Sequence, residues 1–294
     1  MVLKTKINLI LIFALVSVST SSIIARFLPE VSAVVISFWR LAIASVFVWI
    51  YTAFYRQIPI DKKSYKLYVF SGLFLALHFA SFYGAVKLTS IANATLLGIT
   101  APMFTILFER LILKRTLKPL IMLGFIFALC GTIIIAGSGF VLNDGSLFGK
   151  LLGLLAALFI AIVYILADKL RVNSNTIVYT RTLYTIGCFF LLIISILSKE
   201  SVFAIHTTDI VWLAALGIIP TILGHSLFYY AIKYTSPTIV ASVPLGEPII
   251  ASVLAWIIFL EKVPLITLAG GILILCGVYF IIINSPRAHL TENY

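Results

Sequence analysis

Long apolar runs, separated by short stretches with charges, glycines or prolines, follow one another along almost the whole chain. Each run has about 20 residues, the length at which an α-helix crosses the hydrocarbon core of a bilayer. The pattern therefore predicts an all-α membrane protein with ten transmembrane helices. These helices are predicted at residues 7–25, 33–54, 67–86, 91–112, 118–137, 149–167, 176–197, 209–232, 236–259 and 264–284.

Composition and charge agree with this fold class and add an orientation. Of the residues, 62% are hydrophobic and 11% are charged, whereas a soluble domain has about 25% charged residues. Thirteen lysines and arginines lie in connections on the side of the N-terminus, and five lie on the other side. This bias predicts that both termini are cytoplasmic, in a bacterial-type inner membrane. It also explains the net charge of +11 without nucleic-acid binding.

The chain contains an internal repeat, in which the second half follows the first at a fixed offset of 146 residues. Chance matches between apolar helices would not also align lysine, proline, glycine and cysteine. The matches include Tyr83 with Tyr229, Lys87 with Lys233, Pro102 with Pro248, Gly124 with Gly270, and Cys130 with Cys276. The predicted repeats, 1–140 and 147–286, have five helices each, so the second enters the membrane upside down. Inverted repeats around a midplane site are typical of secondary transporters.

Four short features follow one another along the two halves of the chain. They are residues 78–83, 87–90 and 245–248, and Glu261 nine residues before Gly270. Their order and spacing resemble the drug/metabolite transporter superfamily, EamA-type, over residues 7–284. The resemblance implies a central cavity lined mainly by the first, third, fourth, sixth, eighth and ninth helices, and transport of amino acids, other metabolites or toxic compounds. One departure is that Arg115 stands in the first half where the second has Glu261.

Helix-breaking residues occur at corresponding places in the two halves. Gly98 and Pro102 lie in the predicted fourth helix, and Pro244, Gly246 and Pro248 lie in the ninth. Proline lacks a backbone N–H and clashes with the carbonyl group four residues earlier. Inside a bilayer, carbonyl groups freed in this way must face protein or a water-filled cavity. The breaks therefore predict a substrate site or, alternatively, kinks that only serve packing.

Three titratable side chains within predicted spans are candidates for substrate binding or ion coupling. An ionised Glu247 inside the ninth helix would cost at least about 2.5 kcal/mol. We expect it to accept a substrate ammonium group, to bind a coupling proton, or only to tie helices together; its repeat equivalent is Ala101. His78 and His225 are expected either to relay protons or to join helices by hydrogen bonds.

Two arginines, Arg40 and Arg181, also lie inside predicted spans, one in each half. Their presence in both halves favours a structural role, such as capping helix ends or reaching the lipid headgroups. The alternative role is to hold a substrate carboxylate.

Hydroxyl, amide and aromatic side chains are further candidates for a cavity wall. The first helix carries a run of hydroxyl groups that includes Ser19, which fits either small-residue packing or a polar lining. Asn93 lies in the fourth helix, and Tyr83, Tyr164 and Tyr229 are predicted to supply aromatic walls.

These features predict a secondary transporter of small organic metabolites that works by alternating access, with export favoured and proton coupling left open. The alternative is an integral-membrane enzyme acting on a lipid or small metabolite, which usually needs clustered His, Asp, Glu or Cys. Here the acids are scattered, and Cys130, Cys188 and Cys276 have no metal-ligand spacing. No cofactor or metal is expected. A small-molecule substrate and membrane lipids are the expected partners, and a homodimer is left open.

Overall fold

The structure, a computed structural model, describes residues 2–55, 57, 59–89, 94, 97–116, 118–137, 147–260 and 265–284. Within these ranges the regular structure is helical, and each of the ten predicted spans has a helix at its position, the fourth only in part. Among the described residues, seven spans are long and apolar enough to cross a membrane, and two further apolar helices are shorter. The predicted all-α membrane fold is confirmed.

The described part of the first half folds into five helices with short connections. They are α1 (Val2–Ala25), α2 (Ala33–Ala53), α3 (Tyr65–Leu88), α4 (Ala101–Leu111) and α5 (Pro119–Gly137). The side chain of Ser32 fixes the start of α2, because its hydroxyl accepts a hydrogen bond from the Val35 amide at 3.3 Å.

The described part of the second half contains seven α-helices, and two of its spans also include a stretch that is not α-helical. The helices are α6 (Leu147–Arg171), α7 (Thr176–Leu197), α8 (Asp209–Leu216), α9 (Ser226–Ile232), α10 (Pro237–Ser242), α11 (Glu247–Phe259) and α12 (Leu265–Asn284). A π-helix, Gly217–His225, joins α8 to α9, and the three pieces form the eighth span. A 3₁₀ turn, Val243–Gly246, joins α10 to α11 to form the ninth.

Packing between the halves follows the repeat. The α3 helix packs against α6 and α7, and the eighth span packs in the corresponding way against α1 and α2. The α2 helix packs against its repeat equivalent α7, and α5 packs against its equivalent α12. This pattern is what a two-fold relation between the halves produces, and it places α1, α3, α6 and the eighth span around the centre.

Glycines bring α5 and α12 into direct backbone contact. A Cβ atom added to Gly131 would lie 2.4 Å from the carbonyl oxygen of Gly270, and one added to Gly277 would lie 2.4 Å from that of Gly124. The two contacts exchange under the offset of 146 residues. Small residues allow such close approach of helices in a bilayer, where packing rather than the hydrophobic effect holds helices together.

Candidate functional site

A cavity of about 80 Å³ lies between the two halves. Its wall is formed by α1, α3, the residues around the start of α4, α6, the eighth span and the ninth span, which are the six helices that the resemblance implies. The α2 helix contributes one further side chain, Arg40. The volume is sufficient for several water molecules.

Two helix breaks form part of this wall, at positions related by the repeat offset. Gly98 lines the cavity just before the turn at residues 99–100, after which α4 begins. Pro244 lines it from the 3₁₀ turn of the ninth span. The predicted interruption of both spans is therefore present, and both breaks face the cavity, where freed backbone groups are tolerated.

The other three predicted breakers shape these turns without lining the cavity. Pro102 and Pro248 lie in the first turns of α4 and α11, where a helix has no use for the missing N–H group. Gly246 allows the ninth span to approach α1, because an added Cβ atom would lie 2.8 Å from the Leu15 side chain.

Arg40 is a buried cation held in one orientation by neighbouring side chains. Its Nε donates to the Thr221 hydroxyl at 2.7 Å, and its Nη1 donates to Tyr83 at 2.9 Å and to Ser21 at 3.0 Å. The guanidinium group also lies 4.2 Å from the centre of the Phe79 ring. Its Nη2 has no hydrogen-bond partner among the described residues. The cavity therefore contains a fixed positive charge with one free donor group.

The two arginines expected to share a role have different surroundings. Arg181 is half-buried and stacks on the Trp49 ring at 4.5 Å, away from the cavity wall. The offset of 146 residues pairs Arg40 with Ile186 instead. It also pairs Leu41 with Gly187, and a Cβ atom added to Gly187 would lie 2.7 Å from the Leu41 side chain. The structural role expected for both arginines therefore fits Arg181, while Arg40 faces the cavity.

Glu247 is the first residue of α11 and faces the cavity beside the break at Pro244. Its carboxyl group lies within electrostatic range of Arg40 and Tyr164. Among the described residues it forms no hydrogen bond and no ion pair, so nothing there ties it to another helix. The cavity wall thus contains both a carboxyl group and a guanidinium group that are not paired with each other.

His78 and His225 lie next to each other in the cavity wall, with ring centroids 6.2 Å apart. The Nδ1 atom of His78 lies 2.8 Å from the Ala156 carbonyl oxygen, which joins α3 to α6. The buried Nδ1 atom of His225 has no partner among the described residues. The expected helix-joining role therefore fits His78, while His225 keeps a ring nitrogen free at the cavity.

The π-helix is a feature that the sequence analysis missed. Pro220 lacks the N–H group that would bond to the Leu216 carbonyl, and the Thr221 hydroxyl donates to that carbonyl instead, at 2.7 Å. The same hydroxyl oxygen accepts the hydrogen bond from Arg40. The signal was Pro220 between two glycines inside an apolar run. π-Helical turns are frequently found at functional sites.

The three predicted tyrosines occupy different positions relative to the cavity. Tyr164 lines it directly. Tyr83 lies behind the wall, where its hydroxyl group is 2.9 Å from Arg40 and 3.1 Å from Ser21. Tyr229 packs on Tyr164 with ring centroids 6.1 Å apart, and its buried hydroxyl group has no partner among the described residues.

The polar candidate Ser19 is not at the wall. Ser19 is buried and donates to the Leu15 carbonyl oxygen at 2.7 Å, so its hydroxyl group is used within its own helix. Ser21, two residues later, lines the cavity in its place. Asn93 lies outside the described residues. The sequence analysis also missed the apolar wall residues Phe79 and Ile160.

Known proteins similar to this chain are transporters by name. A pseudopaline exporter, CntI, of Pseudomonas aeruginosa is 24% identical over 271 residues, which cover 90% of this chain and 92% of the exporter. An uncharacterized transporter of Archaeoglobus fulgidus is 23% identical over 257 residues, 86% of this chain and 88% of the relative. An uncharacterized transporter of Clostridium kluyveri is 29% identical over 198 residues, 66% of this chain and 64% of the relative.

A solved crystal structure shares the fold. It matches with a TM-score of 0.81 over 97% of this chain and 99% of the other, at 17% identity. A family model described as the EamA-like transporter family matches residues 5–137 and 147–283, one match in each half. This multi-pass membrane protein therefore belongs to the EamA-like transporter family.

Proposed function

We propose that this transporter exports small organic metabolites that carry both an anionic and a cationic group, such as amino acids, in exchange for protons. The observation that carries the proposal is that Arg40 and Glu247 both line the cavity, together with the two helix breaks, without forming an ion pair. Two opposite charges in a low-dielectric cavity attract strongly, yet no ion pair joins these two described side chains. A dipolar substrate would satisfy both groups at once.

The anionic end of the substrate is assigned to Arg40. Three hydrogen bonds already fix the guanidinium group, so little side-chain entropy is lost when a ligand binds. The free Nη2 atom supplies the donor that a carboxylate needs. A charge-assisted hydrogen bond of this kind is about twice as strong as a neutral one.

The cationic end is assigned to Glu247, which also binds the coupling proton. A carboxylate can hold either a substrate ammonium group or a proton, but not both. Competition between the two ligands makes binding of one drive release of the other, which is the linkage that exchange requires. His225, with its free Nδ1 atom at the wall, is the second candidate for moving this proton.

Alternating access is assigned to the two repeats, residues 1–140 and 147–286, moving about the cavity. Both halves contribute a break to the wall, so exchanging their conformations would open the cavity on one side and close it on the other. The basic connections support a cytoplasmic location for both termini in a bacterial-type cell. A relative named as an exporter supports the outward direction. Transport rather than catalysis is supported by the names of the relatives.

The charge requirement can be tested with purified protein in proteoliposomes. For each amino acid tried, counterflow is measured with the parent compound, with its carboxyl group amidated, and with its amino group acetylated. The parent compound should be transported, and either modification should reduce uptake by about tenfold or more, the effect of losing one charged contact. Equal transport of all three forms would contradict the assignment of Arg40 and Glu247 to the two ends.

A further inference from the structure

A second buried carboxyl group, outside the cavity, has no role in the proposed exchange. Glu109 lies in the last turn of α4, at the end of the molecule predicted to be cytoplasmic, and is 1% exposed. Neither of its carboxyl oxygens has a hydrogen-bond partner among the described residues. Buried polar groups are almost always hydrogen-bonded, so an exception of this kind requires an explanation.

The surroundings of Glu109 come from each element that packs against α4. From α10 and its cap, the hydroxyl groups of Thr238 and Ser236 lie beside the carboxyl group, and that of Thr238 is itself buried and unpartnered among the described residues. From α6, Asp168 faces it, and Arg115 faces it from the connection after α4. Arg115 is already paired with Asp168 at 3.0 Å. The nearest cation is therefore engaged elsewhere.

The position of Glu109 relative to the cavity suggests what it controls. Ala101, at the start of α4, lines the cavity, and Glu109 lies eight residues later, about 12 Å along the helix. Thr105, between them on the same face, is completely buried. The contact of α4 with α10 and α6 thus separates the cavity from the predicted cytoplasmic end. Opening the cavity at that end requires this contact to part.

The burial of Glu109 determines which of its protonation states is compatible with the packing of α4 on α10. An ionised carboxylate without hydrogen bonds is costly in the interior of a protein, so the packed arrangement requires a neutral carboxyl group. An ionised Glu109 would need more donors than the Thr238 and Ser236 hydroxyl groups beside it supply. Water supplies them only if α4 moves away from α10. The protonation state and the packing of the two helices are therefore linked.

We propose that Glu109 is a proton-binding gate: its neutral carboxyl group keeps α4 packed on α10, and loss of the proton to water on the predicted cytoplasmic side opens the cavity there. The repeat equivalent of Glu109 is Ala255, so the repeat does not place a second gate of this kind at the other end. The inference goes beyond the proposed exchange, because Glu247 couples the substrate to protons whereas Glu109 controls access with no substrate present.

The gate can be tested by thiol labelling of the full chain in vesicles with the predicted cytoplasmic face outward. Cys130, Cys188 and Cys276 are replaced by alanine, and Thr105→Cys serves as the buried reporter. A membrane-impermeant maleimide is applied between about pH 5 and about pH 9, which spans the usual range for buried carboxyl groups. Lys63→Cys, at an exposed position, corrects for the rise in thiol reactivity with pH.

The corrected labelling rate should rise with pH, by at most about tenfold for each unit, because one proton is released on opening. Glu109→Gln should stay at the low rate at every pH, because its uncharged amide group mimics the protonated state. Glu109→Met should do the same and guards against an effect specific to the amide. Glu247→Gln, which keeps the gate, should retain the rise.

Three results would overturn the gate. They are an unchanged rise in Glu109→Gln, no rise in the parent protein, and a rate that follows sodium concentration at constant pH. None of them bears on substrate exchange, which is measured separately by transport. Conversely, a failure of proton-driven transport with a normal labelling profile would overturn the proposed exchange and leave the gate standing.

Discussion

The two halves of the cavity wall have matching backbones and different chemistry. Both halves interrupt a helix at the same repeat position, at Gly98 in the first and at Pro244 in the second. Three residues beyond each break, however, the first half has Ala101 and the second has Glu247. A helix break in each half would allow either half to bend, whereas a carboxyl group in one half alone would orient a bound ligand. In the proposed mechanism, the symmetric breaks provide the motion and the asymmetric carboxyl group provides the binding chemistry.

The same contrast holds between α3 and its equivalent, the eighth span. The α3 helix is continuous, whereas the eighth span contains the π-helix Gly217–His225. That distortion turns the Thr221 hydroxyl group toward Arg40, which belongs to the first half. The positive charge of one half is thus positioned by an irregularity of the other. Both charged groups of the site depend on features that the repeat does not share.

The largest expected effect comes from removing the asymmetric positive charge. Arg40→Met should lower transport by about 100-fold, corresponding to about 3 kcal/mol for the loss of one partner of a buried charged contact. Arg40→Lys should recover only part of this loss, because an ammonium group cannot reproduce the three hydrogen bonds. Initial rates in proteoliposomes provide the measurement.

Arg181→Met is the matched control for this prediction. The Arg181 side chain stacks on Trp49 outside the cavity, so its replacement should change transport by less than about twofold. Equal losses in Arg40→Met and Arg181→Met would mean that the two arginines act symmetrically after all.

The contact between α5 and α12, which the repeat makes symmetric, is expected to be weakened by a single added methyl group. Gly131→Ala should destabilise the protein by about 2 kcal/mol, because the new Cβ atom would lie 2.4 Å from the Gly270 carbonyl oxygen, and backbone cannot easily move. The change in stability is measured by heating the protein in detergent and recording the loss of monodisperse protein.

Gly271→Ala provides the comparison on the partner helix. Among the described residues, its added Cβ atom would meet the Ile249 side chain, at 3.7 Å, an ordinary contact. Alanine also favours a helix over glycine, so this variant should be as stable as the parent or slightly more so. Comparable destabilisation by both substitutions would argue against direct contact between α5 and α12.

A smaller effect is expected at the π-helix. Thr221→Val keeps the shape of the side chain but removes the acceptor for Arg40 and the donor to Leu216. The loss of about 1 kcal/mol should reduce transport by about fivefold, mainly through weaker substrate binding. Thr182→Val, which removes one hydrogen bond within α7, should have little effect on transport. A neutral Thr221→Val variant would show that the π-helix does not position Arg40.

Much of this architecture could be predicted because bilayer physics leaves strong signals. Length and hydropathy indicate the spans, and proline and glycine indicate the breaks at Gly98 and Pro244. Glu247, His78 and His225 were singled out because polar groups are costly in a membrane, and all three lie at the wall. The cost of a polar group in a membrane therefore identifies those cavity residues that are polar or titratable.

The rest could not be predicted because lipid and protein interior are equally apolar. Phe79 lines the cavity, but nothing in its local sequence separates it from aromatic residues that face lipid. Arg40 and Arg181 were expected to share a role because each lies inside a predicted span of one half, whereas the offset of 146 residues pairs Arg40 with Ile186. The π-helix required knowing which donor replaces the missing N–H of Pro220.

The most direct test separates proton-driven transport from exchange of substrate in one variant. Glu247→Gln cannot bind and release a proton but can still accept a hydrogen bond from a substrate ammonium group. Proteoliposomes containing it should retain part of the counterflow and should show no accumulation when a pH gradient is imposed, whereas the parent protein should show both. Accumulation by Glu247→Gln equal to that of the parent would contradict the assignment of proton coupling to the asymmetric carboxyl group.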